Sequence, residues 1–191
     1  MISMPEARKA LRDGKIIIYP TDTVWGMGCD PFNQKAIDNL FTIKGKKMEG
    51  LSVMFNQKNK IYEYCKTNKK AKEIIDELLP GPITLILKSK KEFAKGVTRD
   101  GNIAVRIPMN ETCIELANEM PVVTTSANLH GEKIAEDIEE AKEIFGSSCY
   151  YLEGEKPTGI ESTIIDLTGI KPEIARIGAL YSTILEGMFE S

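Results

Sequence analysis

Four groups of polar residues stand where this sequence could do chemistry. Thr21, Asp22 and Thr23 offer two hydroxyls and a carboxylate just after the apolar run Ile16 to Ile18. Lys44 and Lys46, in "KGKK", place ammonium groups between two apolar segments. Arg106 sits inside the apolar "NIAVRIP", where an arginine is costly to bury unless it is paired, and where its fork suits a carboxylate or phosphate. Thr124, Ser126 and Asn128 in "TTSAN", followed by Ser162, Thr163 and Arg176, repeat the pattern of polar groups where strands give way to loops. No nucleophile and base pair is visible among them.

Each group also has a plainer reading. The Thr21 triplet has turn chemistry, and lysines suit a helix C-terminus on dipole grounds. Arg106 could serve a structural salt bridge. The single histidine, His130, beside Gly131, excludes a two-histidine metal centre and reads as a loop residue or a weak general base. Cys29, Cys65, Cys113 and Cys149 form no CxxC pair, so neither zinc nor a redox motif is suggested and buried, reduced thiols are expected.

"YPTDTVWGMGCDP" looks like a strand running into a glycine-rich nucleotide loop. It has no third glycine, and Pro31 stands where the helix should begin, so it fails as a dinucleotide fingerprint. A standard P-loop is also absent. The glycines are expected to let the chain turn tightly, with Thr21 pointing its hydroxyl toward a ligand.

Positioning these groups takes an α/β chain. Ser3 to Glu6 has the capping-box layout and opens a helix to Gly14. A strand over residues 16–19 follows, then a helix through Ile43 closed at Gly45 and a short strand over 51–55. The segment from Lys58 to Leu79 reads as helical until Pro80, before the strand "ITLILK". "NIAVRIP" is a strand, Asn110 caps a helix through Met120, "PVVTTSAN" is a strand, and 135–145 is an amphipathic helix. Strands at "YYLE", "STIIDLT" and "EIARIG" precede a helix near Leu180 to Met188. Early alternation and late clustering of strands predict a mixed sheet.

The 191 residues fit one domain spanning 1–191, with 42% hydrophobic and 28% charged residues. A net charge of -3 argues against a general polyanion-binding surface, so any nucleic-acid contact must be local. The basic stretches Lys66 to Lys72 and Lys88 to Lys95 lack interleaved aromatics and read as solvated faces. No apolar run approaches the roughly 20 residues of a membrane span, and no signal-peptide layout opens the chain. A cytoplasmic protein is expected.

Taken in order, "YPTDTVWGMGCDP", "IKGKK", "LPGPITLIL", "NIAVRIP", "TTSAN", "GIESTIIDLT" and "ARIGAL" resemble the YrdC-like domain of the threonylcarbamoyl-AMP synthases, in its short form, over nearly the whole chain. The resemblance implies a YrdC-like α/β fold: a twisted mixed sheet flanked by helices, with a concave basic cavity. It implies synthesis of threonylcarbamoyl-adenylate and pyrophosphate from L-threonine, bicarbonate and ATP with Mg2+, no tightly bound protein-ligated metal, and supply of the downstream machinery that modifies transfer RNA. Adenylyl transfer to a carbamate needs positioning and charge stabilisation more than a nucleophile, which agrees with the residues present.

By motif matching, Thr21, Arg106, Thr124 and Ser162 would surround threonine, with Arg106 on its carboxylate. Lys44, Lys46, Asn102, Ser126, Asn128 and Arg176 would meet ATP. Three positions depart from the family pattern: Lys46 replaces an arginine, Trp25 a tyrosine, and Met54 a histidine on the threonine side. The strand "LSVMF" is also similar to a YciO-like branch, which leaves a second reading: RNA or nucleotide binding without synthase activity.

Overall fold

The computed structural model describes residues 1–180. The helix expected near Leu180 to Met188 lies outside the described residues. Helix α1 (Met4–Arg12) starts where the capping box predicts, with the Ser3 amide donating to Glu6 Oε2 at 2.7 Å. Strand β1 (Ile17–Pro20) then turns through residues 21–24 into β2 (Trp25–Gly28), an antiparallel hairpin in register from Ile17 opposite Gly28 to Pro20 opposite Trp25. This corrects the expected loop.

The glycines of that hairpin are strand residues rather than turn residues. A Cβ at Gly28 would lie 2.1 Å from the Val123 carbonyl oxygen and 2.9 Å from the Tyr19 hydroxyl, so their use is close approach.

Helix α2 (Gln34–Lys44) is capped by Asn33, which accepts from the Ala36 amide at 3.2 Å. It ends at Gly45 with φ of 76°, a left-handed cap that glycine adopts freely. Strand β3 (Ser52–Met54) follows. The segment read as one helix is two, α3 (Lys58–Tyr64) and α4 (Lys69–Leu78), separated by strand β4 (Cys65–Lys66). Asn68 supplies the physical reason for the restart, because its side chain accepts from the Ala71 amide at 2.8 Å.

Strands β5 (Ile83–Ser89) and β6 (Asn102–Arg106) are as expected. Helix α5 (Glu111–Leu116) stops short of Met120; strand β7 (Val122–Ser126) follows. Helix α6 (Ile138–Phe145) begins after the Asp137 cap rather than at Ala135. Strands β8 (Tyr150–Tyr151), β9 (Thr163–Asp166) and β10 (Glu173–Arg176) follow. Among the described residues no helix is long and apolar enough to cross a membrane.

Among the described residues ten strands form one mixed sheet in the order β10-β9-β5-β6-β3-β7-β2-β1-β8, with β4 added beside β5. The pairs β1–β8, β3–β6 and β5–β9 are parallel and the rest antiparallel. Period-two alternation divides the central strands. Val53, Leu85, Leu87, Ile103, Val105 and Val123 enter the main core on one face. The opposite face is only partly covered: Tyr19, Met54 and Val122 pack with α1 and α5 in a second cluster. Beside that cluster, Ser52, Thr84, Arg106 and Thr124 line a cavity.

Candidate functional site

The cavity has a volume of about 210 Å³ and is walled by the 21–24 turn, β3, β5, β6, β7, the approach to β9, and β10. Adjacent strands converge here because Ser52 faces both Ala104 and Thr124 across the ladder. Thr21, Arg106, Thr124, Ser126, Ser162 and Arg176, drawn from five separate segments of sequence, are brought together.

Arg106 is the centre of the arrangement and is only 5% exposed. Its Nη2 donates to Asp22 Oδ1 at 2.5 Å and its Nη1 to Thr23 Oγ1 at 3.1 Å. Its Nε is buried with no hydrogen-bond partner. A buried guanidinium N–H left unmade is costly, and Arg106 is one of the residues that line the cavity. Asp22 is fixed in turn, since its Oδ2 accepts from the Met109 amide at 3.1 Å. The 158–159 strap holds the same turn: Thr158 Oγ1 donates to the Asp22 carbonyl at 3.2 Å and the Gly159 amide to the Thr23 carbonyl at 2.7 Å.

Asp22 and Thr23 are therefore site residues that the motif matching left out. Their signal was the hydroxyl–carboxylate triplet itself. Thr21 lines the wall, yet its hydroxyl proton is committed to the Val24 carbonyl at 2.7 Å and its oxygen accepts from the Thr23 and Val24 amides. The hydroxyl serves the turn, contrary to the expectation that it points free into the site.

Ser162 is buried, with its Oγ 2.9 Å from Thr84 Oγ1. Arg176 donates through Nε and Nη2 to the Ser162 carbonyl at 3.1 and 2.9 Å and through Nη1 to Glu161 Oε1 at 2.8 Å. The expected basic cavity is electrically mixed, because Arg106 and Arg176 share the lining with Glu49 and Glu161. The positive excess lies in an adjoining groove that shares Met48 and Glu49 with the cavity and carries Lys46, Lys47, Lys95 and Arg99 against Asp38 and Glu49.

The two motif lysines separate. Lys44 is 3% exposed and points behind the wall, its Nζ donating to the Ser126 carbonyl at 2.7 Å and to Asn128 O and Oδ1 at 3.0 and 3.1 Å. Ser126 Oγ donates to Asn128 Oδ1 at 2.7 Å, so Lys44, Ser126 and Asn128 form one knot that shapes the end of β7. Lys46 is exposed, with Nζ 3.0 Å from His130 Nε2, and lies in the adjoining groove. Asn102 does not line the cavity; four residues along β6 from Arg106, it shares that strand's cavity face.

Met54 is fully buried in the second core cluster, opposite Arg106 across the β3–β6 ladder but not itself in the cavity lining. Trp25 faces a different pocket, with Nε1 donating to the Glu136 carbonyl at 3.2 Å. All four cysteines are free and buried. Burial pushes the Cys65 and Cys149 thiols up to about 12, which makes them poor nucleophiles. Among the described residues no three His, Cys, Asp or Glu side chains gather as a metal cluster.

Burial pushes Lys44 down from 10.5 to about 8, while its three acceptor oxygens orient the ammonium. The unfolded chain then binds more protons between those two values, so this lysine's contribution to stability rises as pH climbs through that window. Buried thiols act in the opposite direction, since the unfolded chain releases their protons first. The expected outcome is that the difference in urea unfolding free energy between the wild type and Lys44→Met grows from about pH 7.5 to about pH 9.5. A difference flat in pH contradicts it.

Comparison with known proteins adds to this geometry. Residues 9–178 match the Sua5/YciO/YrdC family model, described as Telomere recombination. A threonylcarbamoyl-AMP synthase of Pseudoalteromonas translucida is 35% identical over 149 residues, covering 74% of this chain and 79% of that one. The crystal structure of P. abyssi Sua5 complexed with L-threonine superposes with a TM-score of 0.88 at 28% identity, covering 98% of this chain. This chain spans 58% of that longer protein. The crystal structure of E. coli YciO superposes with a TM-score of 0.86 at 25% identity, covering 97% of this chain and 92% of that one.

Proposed function

The chain belongs to the Sua5/YciO/YrdC family, and from that premise we propose that it is a threonylcarbamoyl-AMP synthase, a nucleotidyltransferase that serves transfer-RNA modification. The observation that carries the reading is Arg106, a buried arginine that lines a cavity of about 210 Å³. In this proposal the L-threonine carboxylate pairs with the Arg106 guanidinium, and the walls of Thr21, Thr124 and Ser162 surround the substrate. The threonine amine takes up bicarbonate-derived carbon dioxide to form a carbamate. One carbamate oxygen attacks the α-phosphorus of ATP, the bond to the β-phosphate oxygen breaks, and pyrophosphate leaves.

The nucleotide is proposed to lie toward Ser126 and Arg176 and along the strand face that carries Asn102, with its phosphates reaching Lys46 in the basic groove. Lys44 and Asn128 would act by holding the end of β7 in shape. Developing charge at the transferring phosphoryl group calls for fixed cations, which Arg176 and Lys46 supply. Magnesium fits as an ion carried by the triphosphate, which Mg2+ binds with few protein ligands; Glu49 and Glu161 are the carboxylates of the lining.

The test is a pyrophosphate-release assay with ATP, Mg2+, bicarbonate and L-threonine. Release should depend on both threonine and bicarbonate. Folded protein that releases none, or releases it equally without threonine, overturns the proposal.

A further inference from the structure

Arg106 takes both of its anchors from one turn, the Asp22 carboxylate on Nη2 and the Thr23 hydroxyl on Nη1. The same two residues are held a second time, through their backbone carbonyls, by the strap that precedes β9. Thr158 Oγ1 shares its proton between the Asp22 carbonyl at 3.2 Å and the Thr23 carbonyl at 3.3 Å, and the Gly159 amide donates to the Thr23 carbonyl at 2.7 Å. Thr23 is thereby fully committed: its amide to Thr21 Oγ1, its carbonyl to the strap and its side chain to Arg106.

The peptide that joins the two anchors is held at both ends. Its N–H, that of Thr23, donates to Thr21 Oγ1 at 3.1 Å, and its C=O, that of Asp22, accepts from Thr158. Thr158, Gly159 and Ile160 are all exposed, so hydrogen bonds rather than burial fix the strap at this point. Gly159 has φ of 85°, and a Cβ there would meet nothing within 4 Å. Its glycine is used for a left-handed backbone, which sets its amide beside the Thr158 hydroxyl on one carbonyl.

We infer that Thr158 is a positioning residue for the reaction proposed above, a role that rests on the threonine reading of the cavity. It fixes the peptide plane between Asp22 and Thr23, and with it the direction in which Arg106 presents its guanidinium to the substrate carboxylate. Thr158 touches no substrate. Charge-assisted contacts of arginine depend on geometry, so an anchor that drifts weakens the contact without removing the charge. The nucleotide side of the cavity is held separately. Arg176 donates to Glu161 Oε1 and to the Ser162 carbonyl, and that stretch is fixed by the Ala179 amide on the Glu161 carbonyl at 2.8 Å and by the Thr163 amide on the Pro82 carbonyl at 3.1 Å. Loss of the Thr158 hydroxyl is therefore felt at threonine and not at ATP.

Thr158→Val keeps the branched side chain and removes the hydroxyl. On the full chain, titration calorimetry and pyrophosphate release should show threonine Kd and KM raised about five-fold, as one lost hydrogen bond gives, with kcat and ATP Kd within about two-fold of wild type. Thr158→Ser, which keeps only the hydroxyl, should restore the threonine values. A strap that merely supports the fold would lower threonine and ATP affinity together. Unchanged threonine affinity in Thr158→Val, an equal loss for both substrates, or no rescue by serine overturns the positioning role and leaves the synthase reading standing. A wild-type chain that neither binds threonine nor releases pyrophosphate overturns the synthase reading, and the positioning role with it.

Discussion

Arg106→Met removes threonine-dependent pyrophosphate release by a hundred-fold or more, an expectation in line with losing a buried, charge-assisted contact of about 3 kcal/mol. The same substitution destabilises the fold, because Asp22 is left buried without its cation. Breaking a buried ion pair from one side costs about 3 to 5 kcal/mol. The two effects are separable. Adding Asp22→Asn to Arg106→Met removes the orphaned charge and should recover most of the lost urea stability, while threonine-dependent turnover stays absent. Asp22→Asn alone keeps the guanidinium but loosens its Nη2 anchor, so its expected signature is a raised threonine KM with a smaller change in kcat. Recovery of activity in the double variant would mean that Arg106 is structural only.

The second large effect falls on Gly28, far from any reacting group. In Gly28→Ala the new methyl would lie 2.1 Å from the Val123 carbonyl oxygen, a backbone atom that no rotamer change can move. Overpacking typically costs about 1 to 3 kcal/mol, and this position should reach or pass the upper end. Gly26→Ala is the internal control. Its Cβ would meet Thr21 Cγ2 at 3.1 Å and two Tyr19 ring carbons at 3.1 and 3.2 Å, all side-chain atoms, so the expected loss is smaller, about 1 kcal/mol. Urea midpoints of the two variants give the comparison, and equal losses would refute the close-approach account of these glycines.

Both predictions turn on the same stretch of chain, and it shows where the sequence was readable. Its composition ruled out a dinucleotide fingerprint, and the Thr21–Thr23 triplet marked it as chemically equipped. The hairpin was not legible, because Gly26 and Gly28 carry no side chain to alternate and a strand signal depends on alternation. Only the presence of Tyr19 and β7 against them turns two glycines into strand residues. The break between α3 and α4 was hidden for a related reason: Cys65 and Lys66 form a strand because Lys88 and Ser89 are there to pair with them.

The sequence by itself determined the α/β class and the helix starts at Ser3 and Asn110, and it marked the arginine in "NIAVRIP" as one that needs a partner. Caps act on amides three residues away, whereas strand alternation sets Arg106 on the face opposite Ile103 and Val105 and leaves its burial to whatever covers that face. What Arg106 pairs with, and which of its nitrogens stays free, was decided by the 21–24 turn arriving from more than eighty residues away. The tertiary structure also split the paired motif lysines, burying Lys44 behind the wall and leaving Lys46 in the groove. One position past the end of α2, the left-handed Gly45 reverses the chain, and two lysines separated by that reversal cannot share a direction. Partners distant in sequence meet only through the sheet, so the charge state of the cavity belongs to the fold.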